Sequence, residues 1–297
     1  PEELENWTIL HFSDLHGREL GDKQAAVASA ISGQAYSCVV FTGDMIGEKG
    51  DIQPFLDLVA LLPAGTPKLY IPGDSDPDML DASAHGSLSV YADWAVRLQD
   101  AGVTLVDEPI RFTRGKSSIY FIPEYLYSLD IDGMESAYRD QLAILAAKDA
   151  LTFDEAAYKR VAEYQVERIG RIREVKKTIS AKDIQVALTH TPLTRDYVST
   201  MLQWKGKEEV FSLRHASLVL AGHYCGGQWR LPGKGAIYVP EYGWFPEDRL
   251  IQGLDYLSGL PQYISPGLGA SDYYPWQRGR VFNSPVVTLI TLTARIV

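Results

Sequence analysis

The chain of 297 residues has little cysteine, no excess of basic residues and no long apolar run. Its two cysteines are Cys38, which lies inside an apolar run, and Cys225, so we expect no structural disulfide. Lysine and arginine number 28 against 38 aspartate and glutamate residues, which gives a net charge of -10. A protein that binds phosphate backbones needs a basic surface, so we expect no nucleic-acid partner.

No run reaches the roughly 20 apolar residues of a membrane-spanning helix, and no signal peptide is visible. The first residue is proline rather than methionine, so we expect a trimmed product, and a removed anchor or signal stays open. A cytoplasmic and a membrane-associated location are both compatible with the sequence. With 46% hydrophobic and 22% charged residues, the composition predicts one domain over residues 1–297 that carries an insertion.

Polar motifs follow five apolar runs along the chain. They are Ser13-Asp14-Leu15-His16, Thr42-Gly43-Asp44, Gly73-Asp74-Ser75-Asp76, Thr189-His190-Thr191 and Gly222-His223-Tyr224-Cys225. The apolar runs predict buried strands, and their ends would gather at one edge of a sheet. Residues i and i+2 of an extended strand project to one face, so Asp14 with His16, and His223 with Cys225, could each clamp a metal. Such donors can hold two divalent ions that share one carboxylate, which predicts a two-metal hydrolase.

The strands predicted before the motifs indicate an α/β fold. They cover residues 8–12, 38–42, 69–72, 186–189 and 218–221. Helical patterns at 23–32 and 53–62 separate the first three, and this βαβαβ order favours a parallel sheet with ligands outside the carboxyl ends of its strands. Short strands between residues 229 and 292, separated by Gly and Pro turns, suggest a second and more antiparallel sheet.

The order of the motifs resembles that of the calcineurin-like metallophosphoesterases, with D-x-H, G-D, G-N-H-D, H and G-H-x-H in succession. The likeness continues in Gly226-Gly227-Gln228, Leu231-Pro232, Ala236-Ile237-Tyr238-Val239-Pro240, Gly267-Leu268-Gly269 and Phe282-Asn283-Ser284-Pro285. These later residues look like a bacterial branch whose members often carry an N-terminal membrane segment. The resemblance covers nearly all of the chain except a central helical stretch, and it implies a four-layer αββα sandwich of two facing mixed sheets. It also implies membrane association through a segment outside this sequence.

The resemblance implies a ligand set for two metal ions, which would be manganese, zinc or iron. It places Asp14 and His16 on the first metal, Asp44 as the bridge, and His190 and His223 on the second. Asp44, Asp74 and His190 would be the residues that act in catalysis.

Two positions depart from the family pattern. Where the family has Asn-His, this chain has Asp74-Ser75. Aspartate can ligate the second metal in place of an amide oxygen, so Asp74 is expected to be a ligand. Ser75 has no group that titrates near neutrality, so a second acid must come from elsewhere or be absent. His11 and His85 are near in sequence, but no motif places either of them in a cleft, and core or surface positions are favoured.

The second departure is Cys225, at the position of the family's final histidine ligand. A thiolate is a competent ligand that prefers softer ions such as zinc or iron, so we expect Cys225 on the first metal. The alternative is a lost ligand and a free buried thiol. With an amide and an imidazole at these two positions, a centre of two divalent ions would have a formal charge of +2. With Asp74 and a Cys225 thiolate the formal charge is zero, which predicts slower ester hydrolysis than in relatives.

These features predict a metal-dependent phosphoesterase that hydrolyses a phosphomonoester or a phosphodiester through a hydroxide held by both metals. The substrate is expected to be small, and a lipid-linked or envelope-linked ester is one option. The alternative is a degenerate, catalytically weak module of the same fold that binds metal or a phosphorylated ligand. Arg18, directly after the first motif, could contact phosphate or simply lie at the surface.

The central residues 127–182 are rich in Ala, Glu, Lys, Arg and Leu and nearly free of Gly and Pro. This composition predicts two or three helices. Because the stretch looks longer than the family pattern, we interpret it as an inserted cap that selects substrate.

Overall fold

The computed structural model describes residues 2–47, 50–83, 89–204, 209–272 and 276–293. The helices within these ranges are α1 (Ala25–Ile31), α2 (Gln53–Ala60), α3 (Asp93–Asp100), α4 (Ile131–Ala146), α5 (Phe153–Thr178) and α6 (Arg195–Trp204). The strands are β1 (Trp7–Phe12), β2 (Cys38–Thr42), β3 (Lys68–Ile71), β4 (Val103–Leu105), β5 (Ile110–Arg114), β6 (Ser117–Pro123), β7 (Ile184–Leu188), β8 (Ala216–Ala221), β9 (Arg230–Leu231), β10 (Gly235–Ala236), β11 (Tyr238–Val239), β12 (Gly243–Trp244), β13 (Gly253–Leu257), β14 (Leu260–Ile264) and β15 (Thr288–Leu292). The five strands predicted before the motifs are all present, with ends shifted by no more than a few residues.

Most of these strands form two mixed sheets. The first has the order β15-β1-β2-β3-β4, with β1 to β4 parallel and β15 antiparallel to β1. The second has the order β13-β14-β8-β7-β6-β5, in which β14, β8, β7 and β6 are parallel and both edge strands are antiparallel to their neighbours. Parallel strands that start from one side place their carboxyl ends along one edge of each sheet.

Alternation of apolar side chains along the strands builds four layers. Ile9 and Val40 of the first sheet pack with Phe121 and Val186 of the second in one buried cluster, so the two sheets face each other. Side chains on the other face of the first sheet, such as Phe41, pack on the outer helices α1 to α3. The outer face of the second sheet packs on α4 to α6 in a third cluster. The predicted αββα sandwich is confirmed.

The C-terminal strands do not build the second sheet by themselves, which corrects the prediction from residues 229–292. Only β13 and β14 join that sheet, whose other strands come from residues 110–221. The last strand, β15, crosses to the first sheet and pairs with β1. The short strands β9 to β12 form two separate two-stranded pairs, because Gly and Pro turns limit each of them to two residues.

The central helices lie in the connection between β6 and β7. These two strands are adjacent and parallel, so the chain must cross over outside the sheet between them. Of the two α-helices, α4 buries only Ile131 and Leu145, whereas α5 buries six of its residues. The prediction of two or three helices at 127–182 is confirmed. The role of this stretch as a substrate-selecting cap stays a prediction.

The long helix α5 begins at a capping box. Glu155 N donates to Thr152 Oγ1 at 3.2 Å, and Thr152 N donates back to the Glu155 carboxylate at 2.9 Å. Ile169 and Ile172 lie on its buried side against the second sheet, and both are fully buried. Within the described ranges, no helix combines the length and the apolar character needed to cross a membrane.

The packing of α5 predicts a contrast between two isoleucines. Ile172 in α5 is 0% exposed, whereas Ile144 in α4 is 54% exposed. Ile172→Ala should lower the free energy of unfolding by about 2–5 kcal/mol, because it leaves a cavity under the second sheet. Ile144→Ala should change it by no more than ~0.5 kcal/mol. Urea denaturation of both variants measures the difference, and equal losses would contradict this packing.

A second prediction concerns acid stability. His11 in β1 is fully buried, its Nε2 lies 2.8 Å from Thr42 Oγ1, and burial lowers its pKa from 6.5 to about 3. The unfolded chain therefore takes up the proton first, so stability is complete above pH 6.5 and is lost as the pH falls towards 3. From pH 6.5 to 5 this group alone should cost about 2 kcal/mol. His11→Gln should remove that part of the loss in urea titrations, and His215→Gln at a partly exposed position is the control. An unchanged pH dependence in His11→Gln would show that His11 is not the group responsible.

Candidate metal centre

The motif loops leave the carboxyl ends of β1, β2, β3, β7 and β8 and meet at one edge of the sandwich. Backbone hydrogen bonds join them: Asp14 N donates to Gly43 O at 3.0 Å, and His16 N donates to Asp44 O at 2.8 Å. Gly222 N donates to His190 O at 2.9 Å, which ties together the loops after β7 and β8. The predicted gathering of the motifs at a sheet edge is therefore observed.

The loops do not continue the strands, however. A positive φ is found at Asp14 (52°), His16 (50°), Asp44 (53°), His223 (84°) and Cys225 (49°). The extended i and i+2 clamp was therefore the wrong reason for their proximity, because a left-handed residue turns the chain sharply at Asp14, Asp44 and His223, soon after β1, β2 and β8. Non-glycine residues pay a steric cost in this region, and such conformations persist where the surrounding structure holds them.

Two glycines permit the close approach of these loops. A Cβ on Gly43 would lie 2.6 Å from both Gly73 Cα and His190 Nδ1, and φ at Gly43 is itself +84°. A Cβ on Gly222 would lie 2.7 Å from Asp14 Oδ2. Only glycine fits at these two positions without displacing a predicted ligand.

The first cluster of donor atoms contains Asp14, His16 and Cys225. The thiol Sγ lies 3.3 Å from His16 Nε2 and 3.8 Å from Asp14 Oδ1. Asp14 Oδ1 also accepts from His223 N at 2.9 Å. Burial raises the pKa of the Asp14 carboxyl and raises the pKa of the Cys225 thiol well above its usual value. Both groups are therefore costly to ionise unless a cation compensates their charge.

The second cluster contains Asp74, His190 and His223. His223 Nδ1 lies 3.1 Å from Asp74 Oδ2 and 3.3 Å from His190 Nε2. Burial alone would lower the pKa of His190, but the hydrogen bond and charge of Asp44 raise it to about 9. Burial also opposes the charged form of His223, yet hydrogen bonds to Asp74 and Glu241 raise its pKa to about 10.

Asp44 lies between the two clusters. Its Oδ2 is 3.6 Å from His16 Nε2 and 3.2 Å from His190 Nε2. Burial would raise the pKa of Asp44, but the hydrogen bond and charge of His190 hold it below its usual range. Ser75 braces this carboxylate, because its N donates to Oδ1 at 2.8 Å and its Oγ donates to Oδ2 at 3.2 Å.

The donor set fits metal ions. Within each cluster the donor atoms lie within 4.8 Å of one another, and Asp14, Asp44 and His190 form a third such group. The Asp14 Oδ2 atom is buried without a hydrogen-bond partner, which is costly for an acceptor that no cation meets. His190 Nδ1 donates to Thr42 O over 2.7 Å, and this bond fixes the tautomer that leaves Nε2 available as a ligand.

All seven predicted ligands are thus brought together, but other predicted residues have different roles. Arg18 pairs with Asp272 at 2.5 Å, so its guanidinium is engaged at the surface. Asp76 accepts from Ile46 N at 2.8 Å and from Tyr70 OH at 2.7 Å, which braces the loop after β3. His11 lies in the core, as favoured. His85 lies outside the described residues.

Glu241 was missed by sequence reasoning. Its Oε1 lies 3.4 Å from His223 Nε2, on the side of the ring opposite to Asp74. An Nε2 proton shared with Glu241 leaves Nδ1 facing the second cluster. The one signal for it in the sequence is its position directly after Ala236-Ile237-Tyr238-Val239-Pro240.

Asn283, which lies in the C-terminal motif that resembles the family, and the nearby Arg280 hold loops of the site in place. Asn283 Nδ2 donates to Cys225 O at 2.9 Å and to Gln228 O at 3.2 Å, so it holds the loop that carries Cys225. The Arg280 guanidinium donates to Gly269 O at 2.7 Å and to Asn283 Oδ1 at 2.9 Å. These two side chains anchor the C-terminal segment to the edge where the ligands lie.

A cavity of about 510 Å³ opens beside the ligands. It extends from Asp44 and Asp74 to Tyr224, Tyr238 and Gln277. None of the described residues that line it is Lys or Arg, and none belongs to the stretch 127–182. Among the described lining residues, His223 is therefore the side chain that can meet negative charge on a substrate, and bound cations would supply the rest.

Comparisons with known proteins place the chain in a family. No curated protein matches it. Among solved structures, the phosphopantetheinyl hydrolase from Mycobacterium tuberculosis is similar at 17% identity, over 88% of this chain and 89% of that chain, with a TM-score of 0.42. The profile of the calcineurin-like phosphoesterases matches residues 8–226, which include all seven predicted ligands. The chain belongs to the calcineurin-like phosphoesterase family and is a hydrolase of phosphate esters.

Proposed function

We propose that the protein hydrolyses a phosphomonoester or phosphodiester at a centre of two metal ions that share Asp44. The observation that carries this proposal is the position of Asp44 Oδ2. It lies 3.6 Å from His16 Nε2 in the first cluster and 3.2 Å from His190 Nε2 in the second. A single buried carboxylate that faces two groups of donors is suited to bridging two ions.

Each cluster would hold one ion. Asp14, His16 and Cys225 would hold the first, and Asp74, His190 and His223 would hold the second. When bound, the two ions would supply positive charge for the phosphate oxygens and make a water more acidic. The identity of the metals is open between manganese, zinc and iron, and a thiolate ligand favours the softer two.

The protein groups would position the reaction. Ser75 fixes the orientation of Asp44, and Thr42 O fixes that of His190. The buried Asp14 Oδ2 meets no hydrogen-bond donor among the described residues. Water oxygen bonds to phosphorus while the ester P–O bond breaks, and the leaving alkoxide takes up a proton. Ser75 cannot supply that proton, since it lacks a group that titrates near neutrality. Esters with good leaving groups should therefore react faster.

Two observations favour a second candidate, a metal-binding or phospholigand-binding module without useful turnover. The Ser75 hydroxyl points to Asp44 rather than offering an acid, and Cys225 is buried with its thiol pKa raised by burial. A site of this kind could bind metal and phosphate yet lack leaving-group protonation. Turnover measurements separate the two candidates.

The bridge predicts that Asp44→Asn abolishes both metal loading and turnover, because one carboxylate serves both clusters. Metal content after dialysis with manganese, and hydrolysis of 4-nitrophenyl phosphate and its bis-ester, measure the two effects. Asp272→Asn is the matched control, since Asp272 is about half exposed, pairs with Arg18 and belongs to none of the described groups of donor atoms. Full occupancy by two ions in Asp44→Asn would contradict the proposal that Asp44 bridges both ions.

The family departures predict a gain of function. Asp74→Asn with Cys225→His restores a formal charge of +2 to a centre of two divalent ions, which should lower the pKa of the attacking water. Turnover should then reach its plateau at lower pH and increase near neutrality. Adding Ser75→His should raise turnover further, mostly for esters with poor leaving groups.

The pH-rate profiles of the wild type, the double variant and the triple variant test this account, with metal content measured for each. If the restored variants bind two ions but keep the wild-type profile and show no gain on any ester, the electrostatic account fails. The binding module would then be the better proposal.

A further inference from the structure

One carboxylate among the described residues that line the cavity is not a predicted metal ligand. Glu241 lines the cavity and its side chain is 44% exposed. Its contact with His223 uses one of the roughly four acceptor positions of a carboxylate. Glu241 is a carboxylate in the cavity wall that is not a predicted metal ligand, so bound metal would not neutralise its charge directly.

Aromatic rings line the same part of the cavity. Tyr224 packs on His223 with ring centroids 4.9 Å apart, and Tyr238 packs on Trp244 at 5.1 Å and on Trp276 at 5.7 Å. These contacts hold the two tyrosine rings in the cavity wall that also contains Glu241. The faces of aromatic rings attract cations, and rings combined with a carboxylate are suited to an ammonium group.

We propose that this wall binds the ammonium group of a phosphate ester of an amino alcohol. Glu241 supplies the opposite charge, and Tyr224 and Tyr238 supply aromatic surface. The inference rests on the proposed function, because it assigns the phosphate to the metal ligands and the alcohol to the adjoining cavity. An anionic alcohol is disfavoured, since Glu241 would repel it and no lysine or arginine is among the described lining residues.

The test compares phosphocholine with 3,3-dimethylbutyl phosphate, its uncharged carbon isostere. Calorimetry on the metal-loaded full chain gives the Kd of each, and phosphate release gives turnover separately. Phosphocholine should bind at least about 5-fold more tightly than the isostere, the ratio expected for a partly desolvated cation on aromatic faces. Phosphoethanolamine should also bind more tightly than the isostere.

Two variants locate the effect. Glu241→Gln and Tyr238→Leu should each bring the ratio of the two Kd values towards one, whatever they do to metal binding or to the absolute affinities. Glu247→Gln is the matched control, because Glu247 pairs with Arg249 and does not line the cavity. It should keep the wild-type ratio.

Equal Kd values for the two esters, or tighter binding of the isostere, would overturn the inference even if both esters were hydrolysed. A preference that survives in Glu241→Gln and in Tyr238→Leu would also overturn it. Tighter binding of phosphocholine that is lost in both Glu241→Gln and Tyr238→Leu would support the amino-alcohol site. If no ester were hydrolysed in that case, the proposed hydrolysis of this ester class would be wrong while the binding site would stand.

Discussion

The rest of the site depends on one buried charge, the Asp44 carboxylate between His16 and His190. A buried carboxylate is tolerated only where positive charge and hydrogen-bond donors meet it. In the protein alone, His190 with its pKa raised to about 9 and the two donors of Ser75 serve this purpose. Metal ions would take over the same role, so the folded chain holds the bridge ready before any ion binds. The proposed chemistry follows from this prior organisation.

This arrangement is stabilised from several directions. Five of the predicted ligands have a positive φ, and glycines at 43 and 222 leave room for loops that could not otherwise approach. The core strands fix where these loops begin, and Asn283 and Arg280 hold the C-terminal segment against them. Local strain at the ligands is therefore held by packing and hydrogen bonds well outside the donor atoms.

The sequence predicted the five strands before the motifs, because apolar runs mark buried strands, and it predicted that the motifs meet at one edge, because they follow the carboxyl ends of those strands. The sandwich itself was implied by the family resemblance, and the assignment of the ligands stays a prediction. The sequence could not give the backbone of the loops, since a left-handed Asp14 depends on contacts with residues far along the chain. Glu241 had no local pattern, and only the fold brings it to His223. The sequence also did not show that β15 joins the first sheet while β13 and β14 join the second, because strand pairing depends on contacts across the whole sandwich.

The central claim is that two ions share Asp44, and electron paramagnetic resonance of the manganese-loaded protein tests it most directly. At full loading the account predicts two manganese ions per chain and a multiline spectrum from exchange coupling, since a shared carboxylate places the ions close together. A single ion per chain, or two ions whose spectra are those of isolated manganese, would contradict the account.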